Sequence, residues 1–172
     1  MKTVQYTVGP EMGHPKPYTT SGSLLEFLSR CSGTIDLELI PPLSILNQTL
    51  KAGADLDESC HWQPFELDER DYEELVLALL TSPNTRYEQV NPPDWVCTPR
   101  DWYYWGNEFR LGIPAQKHRE LLEESKLWSK KARQASEEGN KELAESYNWK
   151  SIQAGQQLMD LVTPCFEKYH KR

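Results

Sequence analysis

Long apolar runs are missing from this 172-residue chain, and their absence excludes a membrane-spanning helix. The longest unbroken run, at residues 75–80, has six apolar side chains, whereas a helical span needs about 20. Glycine is also scarce, with nine residues against twelve prolines. This balance excludes collagen and favours fixed connections over flexible linkers.

Cysteine pairs with the spacing of a metal site are absent as well. The four cysteines, Cys31, Cys60, Cys97 and Cys165, lie 29, 37 and 68 positions apart, without a CxxC pair. The first ten residues lack the ~7–15-residue apolar core of a secretory signal. We therefore expect a cytoplasmic protein with reduced thiols and without a metal or other cofactor.

Positive charge is in deficit. The chain has 19 Lys and Arg against 26 Asp and Glu, a net charge of -7. Residues 1–100 carry 15 acidic and 7 basic side chains, whereas residues 101–172 carry 11 and 12. A net acidic chain lacks the basic face that nucleic-acid backbones require, which argues against nucleic acid as the partner. A basic protein partner suits the acidic front half.

The patterning that is present predicts an α+β, helix-rich fold with short strands in its N-terminal part. Polar and apolar residues alternate over residues 3–8 and 34–40, which indicates two strands. A third, short strand is predicted at residues 86–90. The prolines and glycines of residues 9–23 and the polar residues 55–67 favour irregular loops. Helices are predicted at residues 24–31, 43–53, 68–80 and 98–112. In the third of these helices, Asp68 is the expected cap and Leu80 is expected on the buried face.

A C-terminal antiparallel helical hairpin is predicted next. Pro114 opens its first arm, and Gly139 and Asn140 form the turn. The second arm runs back to about residue 162 and is interrupted by Pro164, two residues later. The apolar arc of the second arm is wide enough to be buried on two sides, which allows an oligomer through the hairpin. We interpret residues 1–172 as a single domain with a mixed part (1–113) and the hairpin (114–170).

Small residues mark one position of the second arm. Ser151, Ala154 and Gly155 lie close together on a helix, so another backbone is expected to approach there. His118 and His170 are expected on polar helix surfaces.

One loop resembles the spacing of a calcium-binding loop. Oxygen-bearing side chains fall at positions one, three, five, nine and twelve of residues 55–66. Cys60 stands where the sharp turn of such a loop demands glycine, and Pro64 lies close to its end. We therefore expect an acidic surface loop without a calcium site.

Two functional hypotheses remain open. No GxSxG, GxGxxG or P-loop motif is present, and we expect a non-enzymatic interaction or regulatory protein of the inhibitor, immunity or adaptor type. The expected partner-binding residues are acidic or aromatic: Trp95, Tyr103, Tyr104, Glu69 and Glu73. On a helix, Trp102, Trp105 and Phe109 share a face that is expected to be core, while the two tyrosines point away from it.

The alternative is an enzyme or metal-binding protein built on a cysteine and histidine cluster. His14, Cys60, His61 and Cys97 carry the side chains that such a cluster needs. No sequence spacing links the four residues, so only the fold can bring them together.

Overall fold

The computed structural model of this protein describes residues 2–9, 13, 16–30, 38–53, 60–83 and 86–171, and at residues 60 and 61 the backbone alone. The fold is α+β and helix-rich, as predicted. Its elements are β1 (Thr3–Val8), β2 (Tyr18–Ser23), α1 (Leu24–Arg30), β3 (Leu39–Ile40), α2 (Leu43–Gly53), β4 (Cys60–Trp62), α3 (Glu69–Leu80), β5 (Glu88–Gln89), α4 (Pro99–Leu111), α5 (Ala115–Glu137) and α6 (Lys141–His170). The chain divides into two compact units, residues 1–102 and 103–172, and the division falls inside α4.

The sheet of the first unit is antiparallel, in the order β2-β1-β4. The predicted alternation of β1 is confirmed, because Val4, Tyr6 and Val8 are buried. The expectation of loops at residues 9–23 and 55–67 is wrong for β2 and β4. β2 lacks the alternation of apolar residues that marks a strand, and β4 has three residues, too few for an alternation to predict a strand. Pairing with β1 makes both segments extended.

A second, smaller sheet joins β3 and β5 in parallel, with Leu39 opposite Glu88. The short strand predicted at residues 86–90 is thus confirmed, although it has two residues. Of the strand predicted at residues 34–40, Leu39 and Ile40 are extended and buried, while residues 34–37 lie outside the described part of the chain.

Aromatic rings occupy the centre of the first core. The Phe27 ring lies 5.3 Å from that of Tyr6, 4.9 Å from that of Trp62 and 5.9 Å from that of Phe65. The Trp62 indole donates to the Leu50 carbonyl over 3.1 Å, so the polar end of this ring is satisfied inside the core. Leucines from three helices surround the rings: Leu24 and Leu28 of α1, Leu46 and Leu50 of α2, and Leu75 and Leu79 of α3.

Reciprocal capping fixes where two helices begin. Before α1, the Ser23 amide donates to the Glu26 carboxylate (2.8 Å) and the Glu26 amide donates to Ser23 Oγ (3.3 Å). Thr98 and Asp101 make the same exchange at α4, over 3.1 and 3.2 Å. These bonds satisfy amides that have no partner within the helix, and they confirm the start predicted at Thr98.

The predicted hairpin forms the second unit together with residues 103–111 of α4. α5 and α6 run antiparallel, and Gly139, with φ of +77°, lies in the turn that joins them. The close approach expected at the small residues is confirmed: Ser151 Oγ donates to the Ser125 carbonyl (3.0 Å) and lies 2.8 Å from Ser129 Oγ. Ala132, Ala135 and Ala154 are buried.

The predicted interruption at Pro164 is wrong, because α6 is continuous from Lys141 to His170. Pro164 cannot donate to the Asp160 carbonyl. Both residues are exposed, so water can satisfy that carbonyl and the helix continues.

Candidate functional site

The exposed side of α3 joins two acidic residues to two leucines. Glu69, Glu73, Leu77 and Leu80 are separated by four, four and three positions, which is the spacing of one helix face. We call these four residues the acidic-leucine face. Leu77 is 64% exposed and Leu80 is 49% exposed. The periodicity of the sequence predicts Leu80 on the buried side of α3. That prediction is wrong, because α3 contacts the core through Leu75 and Leu79.

The framework beneath this face holds α3 in one orientation. Asp68 accepts a hydrogen bond from the Asp71 amide (2.8 Å), which caps the helix. The Tyr72 hydroxyl donates to the Pro41 carbonyl (2.8 Å), and partial burial raises the pKa of this phenol. Leu75 and Leu79 are enclosed in the core. The acidic-leucine face is therefore presented by a helix that is anchored along its whole length.

Neighbouring acidic residues already have cationic partners. Glu66 is bonded to the Lys51 ammonium, which lowers the pKa of that carboxyl. The Asp71 carboxylate lies 3.9 Å from the Lys2 ammonium. Glu69 and Glu73 are exposed, and neither forms a salt bridge within the residues that the structure describes. Their charge is thus available to a partner.

The tyrosines of α4 lie in different environments. Tyr103 is 55% exposed, in keeping with the prediction, whereas Tyr104 is 2% exposed. The His118 ring packs edge-on against the Tyr104 ring at 5.0 Å, and the Arg119 guanidinium lies 5.2 Å from the centre of that ring. The expectation that Tyr104 points away from the core is therefore wrong, and Tyr104 is not a surface for a partner.

The remaining aromatic residues of this segment divide in the same way. Trp95 is exposed, as a partner-binding residue has to be. Trp105 is buried as expected, but Phe109, predicted to share its core face, is exposed. Four successive residues of α4, from 104 to 107, are buried. The helix is therefore enclosed on several sides, which a single-face pattern does not predict.

His118 is also buried, at 6% exposure, which corrects the expectation of a polar helix surface. Its Nδ1 atom is shielded from solvent and has no hydrogen-bond partner among the described residues. Burial disfavours the imidazolium form, so the pKa of His118 is lowered. The ring lies against Tyr103 and Tyr104, and it serves there as an apolar packing element.

The structure does not describe the side chains that would test the hypothesis of a cysteine and histidine cluster. Cys97 is exposed, and its Sγ donates to the Asp94 carbonyl over 3.2 Å. The backbone of β4 places Cys60 opposite Val8. The side chains of Cys60 and His61, the whole of His14 and residues 55–59 of the calcium-like loop lie outside the described part. Among the residues that are described, no three His, Cys, Asp or Glu side chains converge to hold a metal ion.

α6 carries a second row of apolar residues. It belongs to the apolar arc that is predicted to be buried on two sides. Ile152, Met159 and Phe166 are 60%, 56% and 43% exposed, and they recur every seven residues. We call them the outer row. Seven residues are almost two helical turns, so the three side chains lie on one line along the helix. α5 contacts the opposite side, around Ala154, and leaves the outer row uncovered.

The C-terminal end of the outer row borders an open depression of about 640 Å³. Its lining is mostly apolar and comes from α6 and the residue that follows it. The contributing residues are Met159, Val162, Thr163, Phe166, Glu167, His170 and Lys171. A bulky side chain from outside the unit has room to enter here.

An aromatic pair with two lysines ties the arms of the hairpin together. Trp128 of α5 and Tyr147 of α6 stack with ring centres 5.5 Å apart. The ammonium groups of Lys150 and Lys131 lie 4.4 and 4.7 Å from the centre of the Trp128 ring. Both cations are thus engaged by the ring faces, and the cluster stabilises the hairpin.

No protein family, curated protein or solved structure matches this chain. In the described part of the chain, no helix has the length and apolar character needed to cross a membrane.

Proposed function

We propose that this chain is a non-enzymatic interaction protein that binds a basic protein partner through the acidic-leucine face of α3. The observation that carries the proposal is the exposure of Leu77 and Leu80 in line with Glu69 and Glu73 on an anchored helix. Exposed apolar side chains grouped beside charge are typical of protein interaction sites.

The chemistry of this face favours one class of partner. Leucines supply apolar area that a partner can cover, and the two carboxylates attract positive charge. The fitting partner surface is an amphipathic helix or groove with lysine or arginine beside an apolar strip. The surplus of eight negative charges over residues 1–100 adds a long-range attraction to such a partner.

Two further expectations belong to this proposal. Trp95 and Tyr103 are additional aromatic contacts for the partner, since both are exposed. The setting is cytoplasmic, which the free thiols of Cys97 and Cys165 support.

The test is a comparative capture experiment with matched charge reversals. Wild-type protein and the variants Glu69→Lys with Glu73→Lys, and Leu77→Ala with Leu80→Ala, are used as bait in extract from the native host. The control is Glu120→Lys with Glu124→Lys on α5, which makes the same charge change at the same spacing of exposed residues. All four proteins must first show equal melting temperatures.

The expected result is a basic protein that wild type and the control retain and that both α3 variants lose. A partner that binds the α3 variants as well as it binds wild type would contradict the proposal. A loss with the α5 control alone would move the binding surface to the second unit.

A further inference from the structure

Five of the six large apolar residues that α6 exposes are symmetric about Met159, and Leu143 is the sixth. Ile152 and Phe166 each lie seven residues from it. Trp149 and Tyr169 each lie ten residues from it, and all five side chains are exposed. A pattern that reads alike in both directions suits an antiparallel pair of helices about a twofold axis, because residue i of one copy then meets residue j of the other, and j meets i. We infer that α6 pairs antiparallel with α6 of a second copy, about a twofold axis beside Met159.

The symmetry defines the contacts of this pair. Ile152 of each copy meets Phe166 of the other, and the two Met159 side chains meet at the axis. The outer row drifts by about 20° per seven residues on a straight helix, and a crossing angle of about 20° compensates for that drift. The depression beside Phe166 and Met159 receives the incoming Ile152. Trp149 of one copy and Tyr169 of the other flank each end of the contact.

The exposed area is large enough for a specific dimer. An aromatic side chain buries ~150–250 Å² when enclosed, and the three aromatic residues of this face are roughly half exposed. With Ile152 and Met159 the face offers on the order of 500 Å² of side-chain surface per copy. Two copies would cover about 1,000 Å², the lower limit for a specific interface and a size typical of weak, reversible association. An apolar patch of this size is comparable to the largest patch of a typical monomer, which is often functional.

Charge favours a second copy over a charged partner at this face. The residues between the members of the outer row on the same side, Gln156 and Thr163, are polar but uncharged, and the charged residues that border the depression, Glu167 and Lys171, lie at its C-terminal end. Depletion of charge is typical of the centre of an interface. Residues 101–172 carry 11 acidic and 12 basic side chains, so two copies meet through segments with almost no net charge.

The oligomeric state of the full chain tests the inference. Sedimentation equilibrium between ~1 and ~200 µM, a range that brackets moderate affinities, should show a monomer and dimer in exchange. Met159→Glu places two carboxylates against each other at the axis, and we expect it to raise the dimer dissociation constant about tenfold or more. The control is Gln157→Glu, which adds one carboxylate to another exposed position of α6, about 200° around the helix from Met159.

The oligomeric states of wild type and of the variants support or overturn the pairing through α6. Because Met159 is exposed, Met159→Glu should have the melting temperature of wild type at concentrations where wild type is monomeric. If it does not, the milder Met159→Gln provides a second variant. A wild-type chain that stays monomeric at the highest concentration overturns the inference. So does a Met159→Glu dimer as tight as that of wild type, or a Gln157→Glu control that dissociates equally.

Disulfide trapping tests the antiparallel direction. Met159→Cys should form a covalent dimer under mild oxidation above the background that wild type sets with its own cysteines. Ile152→Cys alone should not, because the two copies of residue 152 lie ~21 Å apart in an antiparallel pair, beyond the ~7 Å limit for the Cα atoms of a disulfide. Mixing Ile152→Cys with Phe166→Cys should restore the covalent dimer. Trapping of Ile152→Cys with itself would overturn the antiparallel arrangement. This pairing is independent of the acidic-leucine face, so either proposal can fail without the other.

Discussion

Adjacent residues of the same type have opposite roles in α4. Tyr103 and Tyr104 differ by one position, yet Tyr104 is enclosed by His118 and Arg119 while Tyr103 is exposed. A helix turns by about 100° per residue, so neighbouring side chains sample different surroundings. The type of residue alone does not tell which of two tyrosines is core.

We predict that Tyr104→Ala lowers the free energy of unfolding by ~3–5 kcal/mol, as truncation of a buried aromatic ring does. Tyr103→Ala should change it by less than ~1 kcal/mol, since little buried area is lost. Urea unfolding of the two variants, followed by circular dichroism, measures the difference. Equal losses from both variants would show that the exposure of Tyr103 does not hold in solution.

The buried imidazole of His118 makes stability depend on pH. Its pKa in the folded protein is lowered by burial, whereas in the unfolded chain the pKa is near ~6.5. The unfolded state therefore binds more protons between these two pKa values, and the stabilising contribution is present above ~6.5 and is lost as the pH falls through the folded pKa.

We predict that His118→Gln reduces the fall in unfolding free energy between about pH 7.5 and pH 5.5. Urea titrations of wild type and variant across this range provide the measurement, and the other three histidines are common to both proteins. Parallel curves for the two proteins would mean that His118 is protonated in the folded state as readily as in the unfolded chain.

Among the elements, helices were predictable and several strands were not. The caps at Asp68 and Thr98, and the turn at Gly139, bring their own local bonds or backbone conformation. Such signals are contained in a few neighbouring residues, so the sequence predicts them. β2 and β4 depend on pairing with β1 across long stretches of chain. β2 has no period-two pattern of apolar residues, and the three residues of β4 are too few to predict a strand.

The candidate surfaces were predictable in part, for the same reason. Glu69, Glu73 and Trp95 are exposed as expected, because charge and position on a helix suffice to place them. The exposure of Leu80 and the burial of Tyr104 and His118 depend on which neighbouring elements cover a helix. That information is tertiary, and a helical periodicity cannot supply it.

The contact between α5 and α6 leads to a prediction about Gly155. A methyl group added there would lie 4.0 Å from Ser125 Oγ, its nearest neighbour, which is an ordinary van der Waals distance. Because alanine forms helix more readily than glycine by ~0.8–1 kcal/mol, Gly155→Ala should stabilise the protein by roughly that amount. Ala154→Leu is the contrasting variant, since Ala154 is buried and overpacking costs ~1–3 kcal/mol.

Thermal and urea unfolding of both variants test this prediction. A destabilised Gly155→Ala protein would mean that the two arms approach more closely at residue 155 than the structure shows. Ala154→Leu without loss of stability would mean that the contact at Ala154 is loose.

At the scale of the whole molecule, charge separates the two proposed surfaces. The acidic-leucine face belongs to residues 1–100, with 15 acidic and 7 basic side chains, and the outer row belongs to residues 101–172, with 11 and 12. Salt screens exposed charges beyond ~10 Å at 0.1 M and ~3 Å at 1 M ionic strength. Apolar contact is not weakened in this way.

We therefore predict that salt weakens the association of the basic partner and leaves the dimer almost unchanged. Raising NaCl from ~50 to ~500 mM should slow association of the basic partner with wild type at least ~10-fold, because electrostatic steering acts on the association rate. In the variant Glu69→Lys with Glu73→Lys, the association rate should depend less steeply on the NaCl concentration. The dissociation constant of the dimer through α6 should change by less than ~3-fold over the same range, as apolar burial implies. Stopped-flow association rates and sedimentation equilibrium supply the two measurements. A dimer that dissociates as steeply with salt as the partner's association slows would show that charge, and not the outer row, holds the two copies together.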